Sequence, residues 1–183
     1  MITKKSILAA TFAVVGAALL VITQTAGTTA DKQENKLEGA WIYTIPGTPV
    51  LATMHMSPDA SGRRAAISGQ LVVPIPATQA FPDQEFTSDF VGEAVMTGPD
   101  TSELTIIGYG TKKVVPTLQS PFDRQIVLIW VDSGTMKFTA SGKIEGVQHL
   151  AYYRPEADTN GDGLPEGAAL YSLDGPAVCT RVR

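Results

Sequence analysis

"QIVLIWVDSGTMKFTASGKIEGVQHLAYY", residues Gln125–Tyr153, is the stretch whose reading decides the fold. It holds three apolar segments, QIVLIWV (125–131), TMKFTA (135–140) and KIEGVQHLAYY (143–153), parted only by Asp132-Ser133-Gly134 and Ser141-Gly142. The segments are rich in Val, Ile and aromatic residues, which suit a pleated, half-buried surface. The breaks carry the Asp, Ser and Gly chemistry of turns. The same pattern runs outward in both directions. Upstream lie GAWIYTI (39–45), LATMHM (51–56), AAISGQLVV (65–73), DFVGEAVM (89–96) and ELTIIGYG (103–110); downstream lie AALYSL (168–173) and AVCTRVR (177–183). Many short strands at regular spacing predict an all-β fold, a barrel or a sandwich. TQAFPDQEFTSDF (78–90) has room for one helical turn and otherwise reads as a long loop.

The strands differ in how they distribute apolar residues. GAWIYT alternates, with Trp41 and Tyr43 on one face and Ala40, Ile42 and Thr44 on the other. IVLIWV does not: Ile126, Leu128 and Trp130 share one side, and Val127, Ile129 and Val131 the other. A strand with one wet face does not read like that. Either it lies between two layers, or its outer face meets a partner subunit, which would make the protein a homo-oligomer through 125–131.

The first thirty residues stand apart. Lys4 and Lys5 precede the uninterrupted apolar run Ile7–Ile22, and Thr28-Thr29-Ala30 supplies small residues before Asp31. Basic start, apolar centre and small-residue exit make a secretory signal peptide over 1–30, with a helical apolar centre that falls short of the roughly 20 residues of a comfortable membrane span. The expectation is an exported protein, secreted or periplasmic, with no stable membrane anchor after cleavage. Residues 31–38 read as a polar tether and 39–183 as one β-domain. Loss of Lys4 and Lys5 leaves 12 basic against 18 acidic residues, a net charge of about −6. No basic stripe survives, so neither nucleic acid nor an anionic membrane surface is an expected partner. Cys179 is the single cysteine, which excludes an intramolecular disulfide. Among apolar neighbours in AVCTRV it reads as a small buried hydrophobe.

LEGAW, Leu37–Trp41, carries a Gly-x-Trp at the start of the first strand. In this the chain resembles the lipocalin-like (calycin) β-barrels. The resemblance implies an antiparallel barrel of about eight to ten strands, closed at one end by Trp41, with an arginine of the last strand packed across the indole. CTRVR offers Arg181 for that place, and an arginine over an indole face is a cation–π pair. The family's Thr-Asp-Tyr turn has no clear counterpart; TSDF (87–90) is a poor substitute. Another antiparallel barrel, of cyclase or dirigent type, and a β-sandwich stay open as alternatives.

The most legible chemical motif is EADTNGDGLPEG, Glu156–Gly167. Asp158, Asn160 and Asp162 set side-chain oxygens at every second position before Gly163, and the Leu164 carbonyl falls at the seventh place. Calcium takes six to eight such oxygens. The twelfth place of an EF-hand needs a glutamate and holds Ala169, so this is not an EF-hand. It is similar to short Asp-x-Asn-x-Asp-Gly loops of extracellular modules, with Glu166 completing the shell. The expected cofactor is a structural calcium ion.

Other chemistry is thin. His55 and His149 fall within strands and would be an acid–base pair or metal ligands only if both faced a lumen, and no third zinc ligand can be named. No Gly-x-Ser-x-Gly elbow is present. Glu93 is the strand-borne carboxylate best placed to turn inward. Tyr43, His55, Tyr109, Trp130, His149 and Tyr153 are the residues expected to line an apolar cavity with a few polar handles, the mixture that suits a small hydrophobic ligand. The leading expectation is therefore an exported carrier of a small hydrophobic molecule rather than an enzyme. A barrel-type cyclase or isomerase, and a structural β-domain of a secreted or envelope assembly, are the alternatives.

Overall fold

The computed structural model describes residues 35–72 and 82–182; the signal segment 1–30 lies outside the described residues. Nine strands follow in chain order: β1 (Gly39–Thr44), β2 (Leu51–Pro58), β3 (Arg64–Leu71), β4 (Phe86–Thr87), β5 (Phe90–Met96), β6 (Thr101–Lys113), β7 (Arg124–Phe138), β8 (Lys143–Tyr153) and β9 (Tyr171–Arg181). β4 and β5 share one place in the sheet. β4 pairs the upper half of β6 (Phe86 with Thr111) and β5 the lower half (Val91 with Ile107 through Met96 with Ser102). All pairings are antiparallel. β9 returns to β1 (Trp41 with Arg181), and β6 pairs β7, so the sheet closes. The fold is all-β: a closed, eight-stranded, up-and-down antiparallel barrel. No helix among the described residues is long and apolar enough to cross a membrane.

Period-two alternation builds the interior. β2 sends Ala52, Met54 and Met56 inward, and Thr53 and His55 outward. β3 adds Ala65 and Ile67, β7 adds Leu128, Trp130 and Met136, and β8 adds Ile144, Leu150 and Tyr152.

One expected turn and one expected gap between strands are mid-strand. Asp132-Ser133-Gly134 continues β7, which merges 125–131 with 135–140; Asp174-Gly175-Pro176 likewise runs through β9. Local turn chemistry loses here to pairing along the whole length of β8. Gly134 serves the barrel rather than a turn, because a Cβ there would stand 2.3 Å from the Val147 carbonyl oxygen. Close backbone approach of this kind is what an interior strand glycine permits. Pro176 is tolerated since β1 pairs only Val178–Arg181, which leaves one side of β9 without a neighbour at that height. The true turn between β7 and β8 is at Ser141-Gly142, where Gly142 has φ +74° and donates its N–H to the Thr139 carbonyl at 3.0 Å.

The tether also ends earlier than expected. Leu37 is fully buried at the lower end of the barrel. Asn35 holds it there by accepting the Leu37 N–H at 3.0 Å and donating to the Gly62 carbonyl at 3.3 Å. Beside it, the Arg181 guanidinium carbon lies 5.1 Å from the centroid of the Trp41 ring.

Strand 125–131 has a second layer supplied by its own chain. Residues 154–170 leave β8 through a single 3-10 turn, Pro155–Ala157, that packs on β7. They run over the outside of β6–β8, where Tyr109 donates its hydroxyl to the Gly163 carbonyl at 3.3 Å. Ile129, on the outward face, is consequently only 2% exposed, and Ala151 and Ile107 are buried with it. The apolar outer face at Ile129 therefore needs no partner subunit to cover it; Ile126 remains exposed.

Candidate functional site

The candidate site is the upper lumen. A cavity of about 10 Å³ is lined by Tyr43, Ile45, Val50, Ala52, Leu71, Phe90, Ile106, Trp130, Asp132 and Leu150. Its walls are apolar apart from Tyr43, Trp130 and Asp132. As it stands, it has the volume of about one water molecule.

Tyr43, Asp132 and Gln148 form a buried polar cluster on the β1, β7 and β8 walls. Tyr43 donates its hydroxyl to Asp132 Oδ2 at 2.5 Å. With its amide nitrogen turned toward the cluster, Gln148 donates to Asp132 Oδ1 at 3.0 Å and also meets the Tyr43 hydroxyl. Burial pushes the Asp132 carboxyl up to about 7, against the opposing influence of the Tyr43 hydrogen bond and the nearby charge of His149. Burial first, and then Asp132, raises the Tyr43 hydroxyl far above its ordinary value. The same two causes raise the Cys179 thiol to about 12, which makes it unreactive. The site thus sets a carboxyl that changes charge near neutrality beside a phenol that stays protonated.

Trp130 completes the wall. Its indole packs edge-to-face on Phe90, with centroids 5.8 Å apart. It lies flush against Gly108, where a Cβ would come within 2.3 Å of the ring. Its Nε1–H is buried and has no hydrogen-bond partner among the described residues. A buried donor left so is uncommon and invites a physical reason.

Of the six residues expected to line the cavity, Tyr43 and Trp130 do. His55, Tyr109, His149 and Tyr153 stand on the outer surface instead, because strand parity turns them away from the lumen. His149 Nδ1 pairs with Asp174 Oδ1 at 2.8 Å on that outer face. His55 borders a shallow outer depression of about 620 Å³ with Thr53, Ser68 and Gln70. That depression is larger than the lumen cavity but more open to solvent. The lumen, though far smaller, is the cavity that brings buried polar groups together against apolar walls. Glu93 also points outward, 3.1 Å from Arg64. Among the described residues the lumen thus contains no imidazole and no glutamate to act as a second acid or base.

Asp132 and Gln148 were not among the expected site residues, yet strand parity marks both. Asp132 continues the inward series Leu128, Trp130; Gln148 continues Ile144, Gly146. Reading Asp132-Ser133-Gly134 as a turn ends the first series at Trp130, before Asp132 and Met136.

The acidic loop is a chain of side-chain-capped turns. Asp158 accepts the N–H groups of Gly161 at 2.8 Å and Gly163 at 3.0 Å; Asn160 accepts that of Asp162, and Asp162 that of Leu164, both at 2.8 Å. Gly161 and Gly163 have φ of +78° and +89°, values that favour glycine. Glu166 closes the loop by accepting the Thr159 N–H and hydroxyl at 2.7 Å each, and these bonds hold its carboxyl below the usual range. Carboxylate oxygens of Asp158, Asp162 and Glu166 all come within 4.8 Å of one another. The loop is therefore shaped by its own side-chain hydrogen bonds, and its three carboxylates are crowded.

No family model matches the chain, and no curated protein matches it. Among solved structures, the chain is similar to that of EF1p2_mFAP2b bound to DFHBI. The two are 18% identical over 80% of this chain and 94% of that one, with a TM-score of 0.45.

Proposed function

We propose that this barrel is an exported binding protein for a small, largely apolar molecule that carries one polar group, seated in the upper lumen. The observation that supports the reading is the Tyr43–Asp132–Gln148 cluster facing an apolar cavity. Burying polar groups costs free energy that a side-chain-filled core has no need to spend. Apolar walls with a few convergent polar groups are the makeup of a small-molecule site. Asp132 and the Trp130 Nε1–H would meet the ligand's polar end, and Ile45, Val50, Leu71, Phe90 and Leu150 its apolar body. Because the cavity is small, binding repacks the rim, and the cost of that repacking keeps affinity moderate. Export rests on the 1–30 signal pattern.

Native mass spectrometry of the protein purified from its own host tests this. A co-purifying small molecule is expected, and Leu71→Trp, which fills the half-buried rim, is expected to remove it while the thermal midpoint stays within a few degrees. Protein that carries no small molecule and gains no thermal stability from any of a panel of apolar compounds would instead favour a structural β-domain, a reading to which the nearly filled lumen also lends itself.

The acidic loop is proposed to hold calcium, since crowding of Asp158, Asp162 and Glu166 within 4.8 Å is relieved by a divalent cation. The Asn160 side chain and Leu164 carbonyl would complete the shell. Extracellular sites of this type bind on the order of 10⁻⁴–10⁻³ M, so at 10 mM calcium, ~10–100 Kd, the stabilisation should be about 1.4–2.7 kcal/mol. The thermal midpoint is expected to rise with calcium, not with sodium at equal ionic strength, and Asp158→Ala plus Asp162→Ala should remove the rise. A midpoint indifferent to calcium sinks the assignment.

A further inference from the structure

The β6–β7 hairpin projects past the barrel rim. β8 stops pairing at Tyr153 with Ile129, while β6 and β7 continue through Thr111 with Ile126, where β4 still flanks β6, and become a two-stranded ribbon at Lys112 with Gln125 and Lys113 with Arg124. Val114 donates its N–H to the Asp123 carbonyl and Thr117 to that of Ser120, so the ribbon ends in an ordered tip. The tip, VVPTLQSPF (114–122), contains no charged residue. Val115 is 86% exposed, Leu118 100% and Phe122 73%. Three large apolar side chains grouped in solvent on one projection mark a contact surface.

The chemistry around the tip selects the partner. The chain as a whole carries no basic stripe, but locally Lys113 and Arg124 face each other across the neck, with the Arg124 guanidinium 4.0 Å over the Phe86 ring; like charges so placed are destabilising unless an anion lies beside them. Lys112 is already paired with Asp83 at 3.2 Å, Glu85 accepts the Lys113 backbone N–H, and Asp123 adjoins the neck. Pro116 and Pro121 lack backbone N–H groups, which weakens any sheet extension through the tip into a second copy. An uncharged apolar apex, one aromatic ring and cations set just behind them match the depth profile of a lipid interface.

We propose that the tip of this hairpin inserts Leu118 and Phe122 into the interface of a phospholipid bilayer, with Lys113 and Arg124 at the level of anionic headgroups. The inference does not depend on what the lumen holds.

The full chain carrying Phe122→Trp, mixed with phosphatidylcholine–phosphatidylglycerol vesicles, provides the test. The emission of the introduced indole should shift to the blue and be quenched by brominated acyl chains. Leu118→Asp in that background should lower the tip's partition at least about tenfold with the thermal midpoint unchanged. This optical readout separates the tip from the apolar run Ile7–Ile22, which could bind vesicles by itself. Four results would overturn the proposal: no sedimentation with vesicles; sedimentation with an unshifted, unquenched indole; a shift that Leu118→Asp leaves intact; or a dimer in light scattering that Leu118→Asp dissolves, which would assign the tip to a second copy. Equal partition onto pure phosphatidylcholine would remove the headgroup role of Lys113 and Arg124.

Discussion

Trp41→Ala is expected to destabilise the barrel by about 3–5 kcal/mol, the usual cost of deleting a large buried aromatic. Trp41 is 2% exposed and sits where the sheet closes, paired with Met54 on one side and Arg181 on the other. Removing it opens the lower end under Leu37 and leaves the Arg181 guanidinium with no ring to cover. Arg181 also donates to the carbonyls of Asn35 and Glu38, so it ties the entering chain to the last strand. Arg181→Ala should therefore also destabilise, but by less, since the cation–π contact is worth about 0.5–2 kcal/mol. Urea unfolding followed by far-UV circular dichroism measures both. A midpoint for Trp41→Ala equal to that of the parent would show that Trp41 is not the plug of the barrel.

The second large effect is a dependence on pH. Asp132 has its folded pKa raised to about 7, against about 4 in the unfolded chain. Between these values the folded state holds the proton and the unfolded state does not, so stability falls as pH rises through that window and levels off above it. The span corresponds to a loss of at most about 4 kcal/mol, the limit set by the shift itself. The exposed carboxylates of Asp59, Asp100 and Glu166 are shifted the other way, and their contribution is lost only as pH falls toward and below 4. A protein more stable at pH 5 than at pH 8 is thus the expected signature. Asp132→Asn should flatten the profile between those values, because the side chain keeps its shape and no longer ionises. If the parent is equally stable at pH 5 and pH 8, Asp132 is not held neutral by burial.

Most of the strand pattern was legible in the sequence because alternation is a local property. GAWIYT, LATMHM and KIEGVQHLAYY alternate against one buried face, and each became the strand it reads as. Local chemistry and pairing disagree at two places. Asp-Ser-Gly and Asp-Gly-Pro have turn composition, yet both lie in long strands because β8 pairs through them. That misreading hid Asp132, the most consequential ionisable group of the lumen.

Sequence by itself determined the strand-rich class, the absence of a disulfide framework, the acidic loop and the Gly-x-Trp entrance, all properties of composition or of neighbours along the chain. Tertiary structure alone decided which face of each strand turns inward, and so placed Tyr43 and Trp130 in the lumen and both histidines outside it. It decided as well that Ile129 is covered by residues 154–170 of its own chain. The physical reason is that a strand's two faces are equivalent until a register is chosen, and closing the sheet from β9 back to β1 chooses it for all eight barrel strands together.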